Sequence, residues 1–297
     1  MSECRIRVLF RTATVQGLST RWAKACHGNG PVGVFGVMAR NPIAPLEPLP
    51  STRCTVLPLK QAVPLPENVP LEQGACLGIP GITAHRAVHV AGPVEGRTVL
   101  VQGGAGAVGA CAVQLAHQGG ARVITTCRAE RDKEIASRAG ADEVLLTGEN
   151  LVQRIRALAP DGVHHVVEVA FGANIESDME LLAEDGSIAA YATNASRPEI
   201  PFWQLVFVNA RIFFVGSDDV PADAKIGATR AINQAFEAGW QGFEIAEIVP
   251  LDQIARAHEL VEHPVKPGVS SLRLRRSSPT LGQHALRLLW LKIPSRR

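Results

Sequence analysis

The chain has 297 residues, 46% of them hydrophobic and 20% charged, with a net charge of +2, the make-up of a globular chain with a substantial core. No apolar run approaches the roughly 18 residues of a membrane span, no stretch near the start reads as a secretory leader, and no aromatic-basic interleaving marks a nucleic-acid binder. Neither membrane nor nucleic acid is therefore expected as a partner, and the expected location is cytoplasmic.

Residues 1 to 54 hold seven basic residues against two acids and show little periodicity, and "RNPIAPLEPLP" (40–50) is a proline-rich connector. An Arg- and Ser/Thr-rich organelle transit peptide, "CRIRVLFRTATVQGLSTRWAKA", is the alternative reading of this front. Order is expected from about Thr55, with a short strand-like piece, a proline turn and a helix from about Pro70 to Val90 interrupted at Gly81.

An alternating series follows. Strands are expected at 97–103, 121–127, 141–146, 163–170, 187–193 and 211–217, and helices at 107–120, 130–140, 151–160 and 175–186. Strands alternating with helices through short glycine-marked links predict a doubly wound parallel α/β sheet. A helix at about 222–238, a strand at 243–250 and a helix at 251–263 come next. Residues 263 to 297 carry eight basic residues and no acid. Within them "HALRLLWLKI" (284–293) fits either an amphipathic helix or, preferably, an unpacked tail.

The stretch "VQGGAGAVG" (101–109) offers both G-x-x-G-x-x-G (Gly103, Gly106, Gly109) and G-x-G-x-x-G (Gly104, Gly106, Gly109). Such glycines permit a sharp turn, admit a pyrophosphate to the backbone and bring the next helix close to the strand. A predicted strand before, a helix after and a second strand ending about 20 residues on favour a dinucleotide over a bare strand-to-helix turn. No Lys-Ser or Lys-Thr follows, so this is not a P-loop. The second strand ends in "TTCRAERDK" (125–133), with Thr126, Cys127 and Arg128 where an NAD-binding fold carries an acid on the ribose hydroxyls. NADP(H) is therefore favoured over NAD(H). Arg131 and Lys133 also fit a solvated helix face shared with Glu130 and Glu134.

The six cysteines, at 4, 26, 54, 76, 111 and 127, include no C-x-x-C pair and no zinc-ribbon spacing, so no metal site is expected. His164 and His165 fall inside a strand pattern and read as structural, and no hydrolase motif occurs.

"GIPGITAHRAVH" (78–89), "VLVQGGAGAVG" (99–109), "GADEVL" (140–145) and "DGSIAAYAT" (185–193) resemble the zinc-free quinone oxidoreductases, the zeta-crystallin-like NADPH:quinone reductases of the medium-chain dehydrogenase/reductase superfamily. The resemblance runs from about Thr55 to Gly268, roughly two thirds of the chain. It implies a Rossmann domain beside a GroES-like β domain, NADPH in the cleft, a quinone or enone acceptor and a homodimer. It further implies that Thr83 lies near the nicotinamide and that Gly103, Gly104, Ala105, Gly106, Ala107, Val108 and Gly109 form the pyrophosphate loop. Thr126 and Arg128 would meet the 2′-phosphate, and "AFGAN" (Ala170, Phe171, Gly172 onward) the adenosine and ribose. Tyr191 and Thr193 would sit at a strand end by the nicotinamide ribose, and Phe214, Val215 and Gly216 would hold the carboxamide through backbone. Tyr191, the one tyrosine, is an available phenol acid, although a buried strand aromatic is the preferred reading.

The domain plan that follows is a remnant of the GroES-like domain over 1–86 (1–54 unreadable), an NADP-binding Rossmann domain over 87–240, a return to the substrate domain over 241–272 and a basic tail over 273–297. Residues 1–54 and the "VSSLRLRRSSP" that follows "KPG" depart from the family pattern, as translation partly out of the ancestral frame would produce. Three functions remain open: an active NADPH-dependent reductase acting without metal, an NADPH-binding but catalytically impaired remnant, and a basic-tailed interaction protein.

Overall fold

The computed structural model describes residues 65–216, 220–250, 253–263 and 269–273, in two units. The expectations for residues 1–64 and for the tail after 273 lie outside the described residues.

The larger unit comprises Ile79–Ala246 and Lys266–Val269. Its frame is a six-stranded parallel sheet in the order β3-β2-β1-β4-β5-β6, from β1 (Thr98–Val101), β2 (Arg122–Cys127), β3 (Glu143–Leu146), β4 (Val163–Glu168), β5 (Leu182–Ala190) and β6 (Arg211–Phe214). This is the predicted doubly wound α/β fold of Rossmann type, and its order reverses between β1 and β4. Val99, Leu100 and Val101 are fully buried, as a parallel strand covered on both faces requires.

Side chains alternate between the faces. Leu100, Ile124, Val166 and Ile188 share one core with Phe171, Ile175 and Leu181 of α6 (Phe171–Leu181) and with Ile155 of α5 (Leu151–Leu158). Each buried aliphatic contributes about 1.5–3 kcal/mol. The helix after β1, α3 (Ala107–Gln118), buries small residues, among them Gly109, Ala110 and Ala112, and so lies close to β1 and β2.

In the region expected as one helix broken at Gly81, the chain breaks instead at Leu77, between α1 (Leu71–Cys76) and α2 (Gly78–His89). Gly81 lies inside α2 because any Cβ there would fall under 3.0 Å from Ile232 of α8 (Ala222–Glu237). Two further differences bear on the site. α6 starts four residues earlier than the expected 175, and β5 ends at Ala190, so Tyr191 and Thr193 stand beyond the strand. The remaining helices of this unit are α4 (Lys133–Arg138) and α7 (Phe202–Phe207); the latter was not anticipated.

The smaller unit comprises Met1–Gly78, Glu247–Val265 and Ser270–Arg297. Its described part contains α1, with Leu65 seated under Gly74, and α9 (Ile254–Glu262), whose Arg256 pairs with Glu247. Strand β7 (Ile245–Pro250) pairs with β8 (Val269–Arg273) in a two-stranded sheet.

Candidate cofactor site

The carboxyl ends of β1 and β4, where the strand order reverses, are where an open α/β sheet forms its ligand crevice. The chain leaves β1 through Gln102 and turns at Gly103, which has φ +75°, a conformation strained for any other residue. The Gly106 N–H closes the turn on the Gly103 carbonyl at 3.0 Å, and α3 begins at Ala107. A Cβ on Gly109 would lie under 3.0 Å from the Gly103 carbonyl and the Gly104 Cα, and one on Gly104 would collide with Thr125. Both positions thus require glycine for close approach, as a dinucleotide fingerprint demands. The first-turn N–H groups of Ala107, Val108 and Gly109 have no intrahelical acceptor, and no acid sits in that turn. The helix end is therefore suited to an anion.

Register explains what supports this loop. Leu100 lies opposite Ile124 and Val166, so two residues on, and on the same face, Gln102 falls between Thr126 and Glu168. The Gly103 N–H donates to Thr126 Oγ1 (3.1 Å), and the Thr126 hydroxyl donates to Gln102 Oε1 (2.7 Å). Gln102 Nε2 donates to Asp178 Oδ1 of α6 at 2.8 Å. Glu168 accepts from the Ala170 N–H and from Asn174 Nδ2. Thr126 is only 1% exposed and its hydroxyl is engaged by the loop, so it shapes the turn from beneath rather than facing a phosphate. Arg128, the next residue but one, is exposed at the end of β2, and no carboxylate stands at Thr126 or Cys127. Cys127 faces the Ala105 N–H; burial, reinforced by Asp132, pushes its thiol up to about 11, so it is not a nucleophile at neutral pH.

The structure brings two other expected segments together. The Phe171 N–H donates to the Ala192 carbonyl at 3.1 Å and the Gly172 N–H to Thr193 Oγ1 at 3.2 Å, joining Ala170–Gly172 to Tyr191–Thr193. Val169 lies 3.4 Å from where a Gly103 Cβ would be, placing the end of β4 beside the glycine loop. The Tyr191 N–H donates to the Glu168 carbonyl at 3.1 Å, and burial together with the Glu168 charge holds its phenol well above the ordinary range. Val215 continues the β5–β6 ladder through its N–H to the Ala190 carbonyl at 2.9 Å. The exposed ring of Phe214 meets Phe171 edge-on at 5.6 Å, and Gly216 is exposed. Thr83 is buried in α2, and no hydrogen bond among the described residues ties it to the loop.

His165 is structural, as expected. Its Nδ1 meets the Ser187 hydroxyl at 2.8 Å and its Nε2 meets the Ala87 carbonyl at 2.7 Å, which fixes the proton on Nε2. His164 Nδ1 accepts from the Thr98 N–H at 3.1 Å. Among the described residues no group of three His, Cys, Asp or Glu side chains is placed to hold a metal ion, and no helix is long and apolar enough to cross a membrane.

Sequence reasoning did not single out Gln102, Glu168 and Asp178. A signal was present: Asp178 occupies a core position of α6 in the buried series Phe171, Ile175, Asp178, Leu181, and Glu168 follows the buried pair Val166 and Val167 at the end of its strand.

Residues 107–228 match the family described as zinc-binding dehydrogenase. The quinone oxidoreductase of Rattus norvegicus is 31% identical over 211 residues, 67% of this chain and 61% of its own length; that of Homo sapiens is 28% identical over 210 residues, with the same coverage. The chain thus spans about 61% of the curated relatives it matches. Among solved structures, mycobacterial Rv1454c complexed with NADPH superposes with a TM-score of 0.64 at 25% identity, covering 71% of this chain and 68% of that one. The Escherichia coli quinone oxidoreductase complexed with NADPH superposes with a TM-score of 0.63 at 22% identity, over 72% of this chain and 68% of that one, a likeness of fold. Fold, glycine loop and relatives agree: residues 107–228 match the zinc-binding dehydrogenase family, and the chain is similar to quinone oxidoreductases over about 61% of their length.

Proposed function

We propose that this protein is an NADPH-dependent oxidoreductase that reduces quinones or activated alkenes without a metal. The observation that carries the proposal is the loop at Gly103–Gly109. It has two positions closed to any Cβ and a helix N-terminus open to an anion, at the point where the sheet order reverses. Relatives named quinone oxidoreductases and a 25% identical structure complexed with NADPH support the same reading.

NADPH supplies the hydride, and the protein's part is to bind and orient. The N–H groups of Ala107, Val108 and Gly109 would take the pyrophosphate, and Arg128 the 2′-phosphate. Phe171 and Gly172 would flank the adenosine side, with Thr83, Thr193 and the backbone of Phe214–Gly216 toward the nicotinamide. Tyr191 is the catalytic candidate: a half-buried phenol beside Glu168 retains its proton, which favours a packing role. The plan of 87–240 as cofactor domain, flanked by substrate-domain segments, belongs to this proposal, as does a cytoplasmic location.

A homodimer is also proposed. Helix α7 presents Phe202, Trp203 and Phe207 in successive ring contact and edge strand β6 presents Phe214, each more than half exposed, apolar surface of the kind an interface covers. Light scattering on the purified chain tests it; a monomer that stays monomeric at micromolar concentration overturns it.

Titrating NADPH and NADH by fluorescence on the full chain, with quinone turnover measured alongside, tests the main proposal. NADPH should bind at least tenfold more tightly than NADH and support turnover. Binding without turnover points to the impaired remnant, and absence of NADPH binding overturns both.

A further inference from the structure

The hydrogen bonds beneath the glycine loop all run one way. From Gly103 N–H to Thr126, from Thr126 O–H to Gln102 and from Gln102 N–H to Asp178, each donor points toward the next group, and from the far side Ala170 N–H and Asn174 point into Glu168. The chain of donors is complete except between the two acids. Asp178 and Glu168 are both fully buried, and Asp178 Oδ2 has no donor of its own. Two neighbouring carboxylates away from water repel each other strongly when both are charged; one proton between them removes the repulsion and provides the missing donor. The oxygens of Glu168 already accept from Ala170 and Asn174, and Asp178 Oδ1 accepts from Gln102, so the proton belongs on Asp178 Oδ2, directed at Glu168.

We propose that Asp178 is a neutral acid at working pH and serves as a positioning residue for the glycine loop, fixing the Gln102 amide and, through Thr126, the Gly103 N–H. Asp178 lies on α6, one buried helical position beyond Ile175 and away from the loop it governs. An ionised Asp178 would repel Glu168, withdraw from Gln102 and free that amide to flip, and the Thr126 hydroxyl would then lose the acceptor that orients it toward Gly103. Burial and the neighbouring Glu168 carboxylate hold the Asp178 carboxyl well above the usual carboxylate range, in accord with this assignment. Among the described residues the Tyr191 phenol also faces Glu168, and it keeps its own proton.

The part of this inference that concerns cofactor affinity rests on the proposed NADPH site; the wiring of the loop does not. The test therefore reads both in the full chain. Amide hydrogen exchange of the Gly103 region is followed without cofactor in wild type, Asp178→Asn, Asp178→Leu and Thr126→Val, and NADPH is titrated into each. Asn is the neutral acid's mimic, with its amide donating to Glu168 and its oxygen accepting from Gln102. It should keep loop protection and NADPH affinity within twofold. Asp178→Leu and Thr126→Val should each lose at least tenfold in protection at Gly103, with β5 unchanged, and weaken NADPH in parallel. Infrared spectra should show a buried protonated-carboxyl band in wild type that Asp178→Asn lacks. If Asp178→Leu does not fold, Asp178→Asn, Thr126→Val and the infrared band still decide. Asp178→Asn losing tenfold, Thr126→Val leaving the loop protected, or no carboxyl band overturns the proposal. A loosened loop with unchanged NADPH affinity overturns the cofactor part. Should wild type bind no NADPH, the proposed function fails while loop exchange still settles the role of Asp178.

Discussion

Strand β4 carries a buried ionisable side chain toward each end, His165 and Glu168, and the two have opposite surroundings. His165 lies between β5 and α2, where the Ser187 hydroxyl of the strand and the Ala87 carbonyl of the helix satisfy its two ring nitrogens. Glu168 faces α6, where it meets a second acid and joins a hydrogen-bonded line to the glycine loop. The first arrangement pins a helix to the sheet. The second lies at the carboxyl ends of the strands, where the crevice of an open α/β sheet forms, and it shapes the backbone that lines that crevice. Burial alone does not distinguish two such polar groups; their position along the strand, away from the crevice or beneath it, does.

The comparison breaks first at the loop itself. Gly109→Val places side-chain atoms on the Gly103 carbonyl and should weaken NADPH at least 100-fold, with a stability loss of about 1–3 kcal/mol by chemical denaturation. If affinity survives, the Glu168 end is not functional.

Acid sharpens the His165 end. Burial, the largest cause, lowers His165 to about 4, so the unfolded chain binds more protons as pH drops from about 6.5 toward 4. Stability from this residue is therefore complete above pH 6.5 and declines below it, by about 3 kcal/mol at most. His85, lowered to about 4 by burial and then by His89 and Arg86, acts in the same direction. Denaturation midpoints at pH 7 and pH 4.5 measure the slope, and His165→Asn should flatten it.

At neutral pH, His165→Leu strands the Ala87 carbonyl and should cost about 1–3 kcal/mol of stability. NADPH affinity should stay within twofold, the reverse of what Thr126→Val does. A large loss of affinity would erase the distinction between the two ends.

The smallest effect is expected at Arg128, exposed at the end of β2. Arg128→Ala should weaken NADPH about tenfold, or about 1.4 kcal/mol, leaving NADH affinity and thermal stability unchanged. Equal losses for both nucleotides would remove the 2′-phosphate from this residue.

Much of the α/β unit was legible because its signals are local. "TVLV" is a β-branched apolar run, and the glycines and the alanine-rich α3 follow it directly. Gly81 was misread as a break because sequence cannot tell a glycine that ends a helix from one that admits a neighbour, here Ile232. The helix α7 went unseen because its six residues, "FWQLVF", are too few for a helical period and read equally well as strand.

The sequence by itself determined the order of strands and helices, the glycine loop and the absence of an acid at the very end of β2, since each is written in adjacent residues. Only the tertiary structure decided what holds that loop. Parallel register sets Gln102 between Thr126 and Glu168, and the crossing of α6 brings Asp178 to them from 76 positions away. No local pattern encodes that meeting, because it depends on which strands become neighbours and on which face the helix returns.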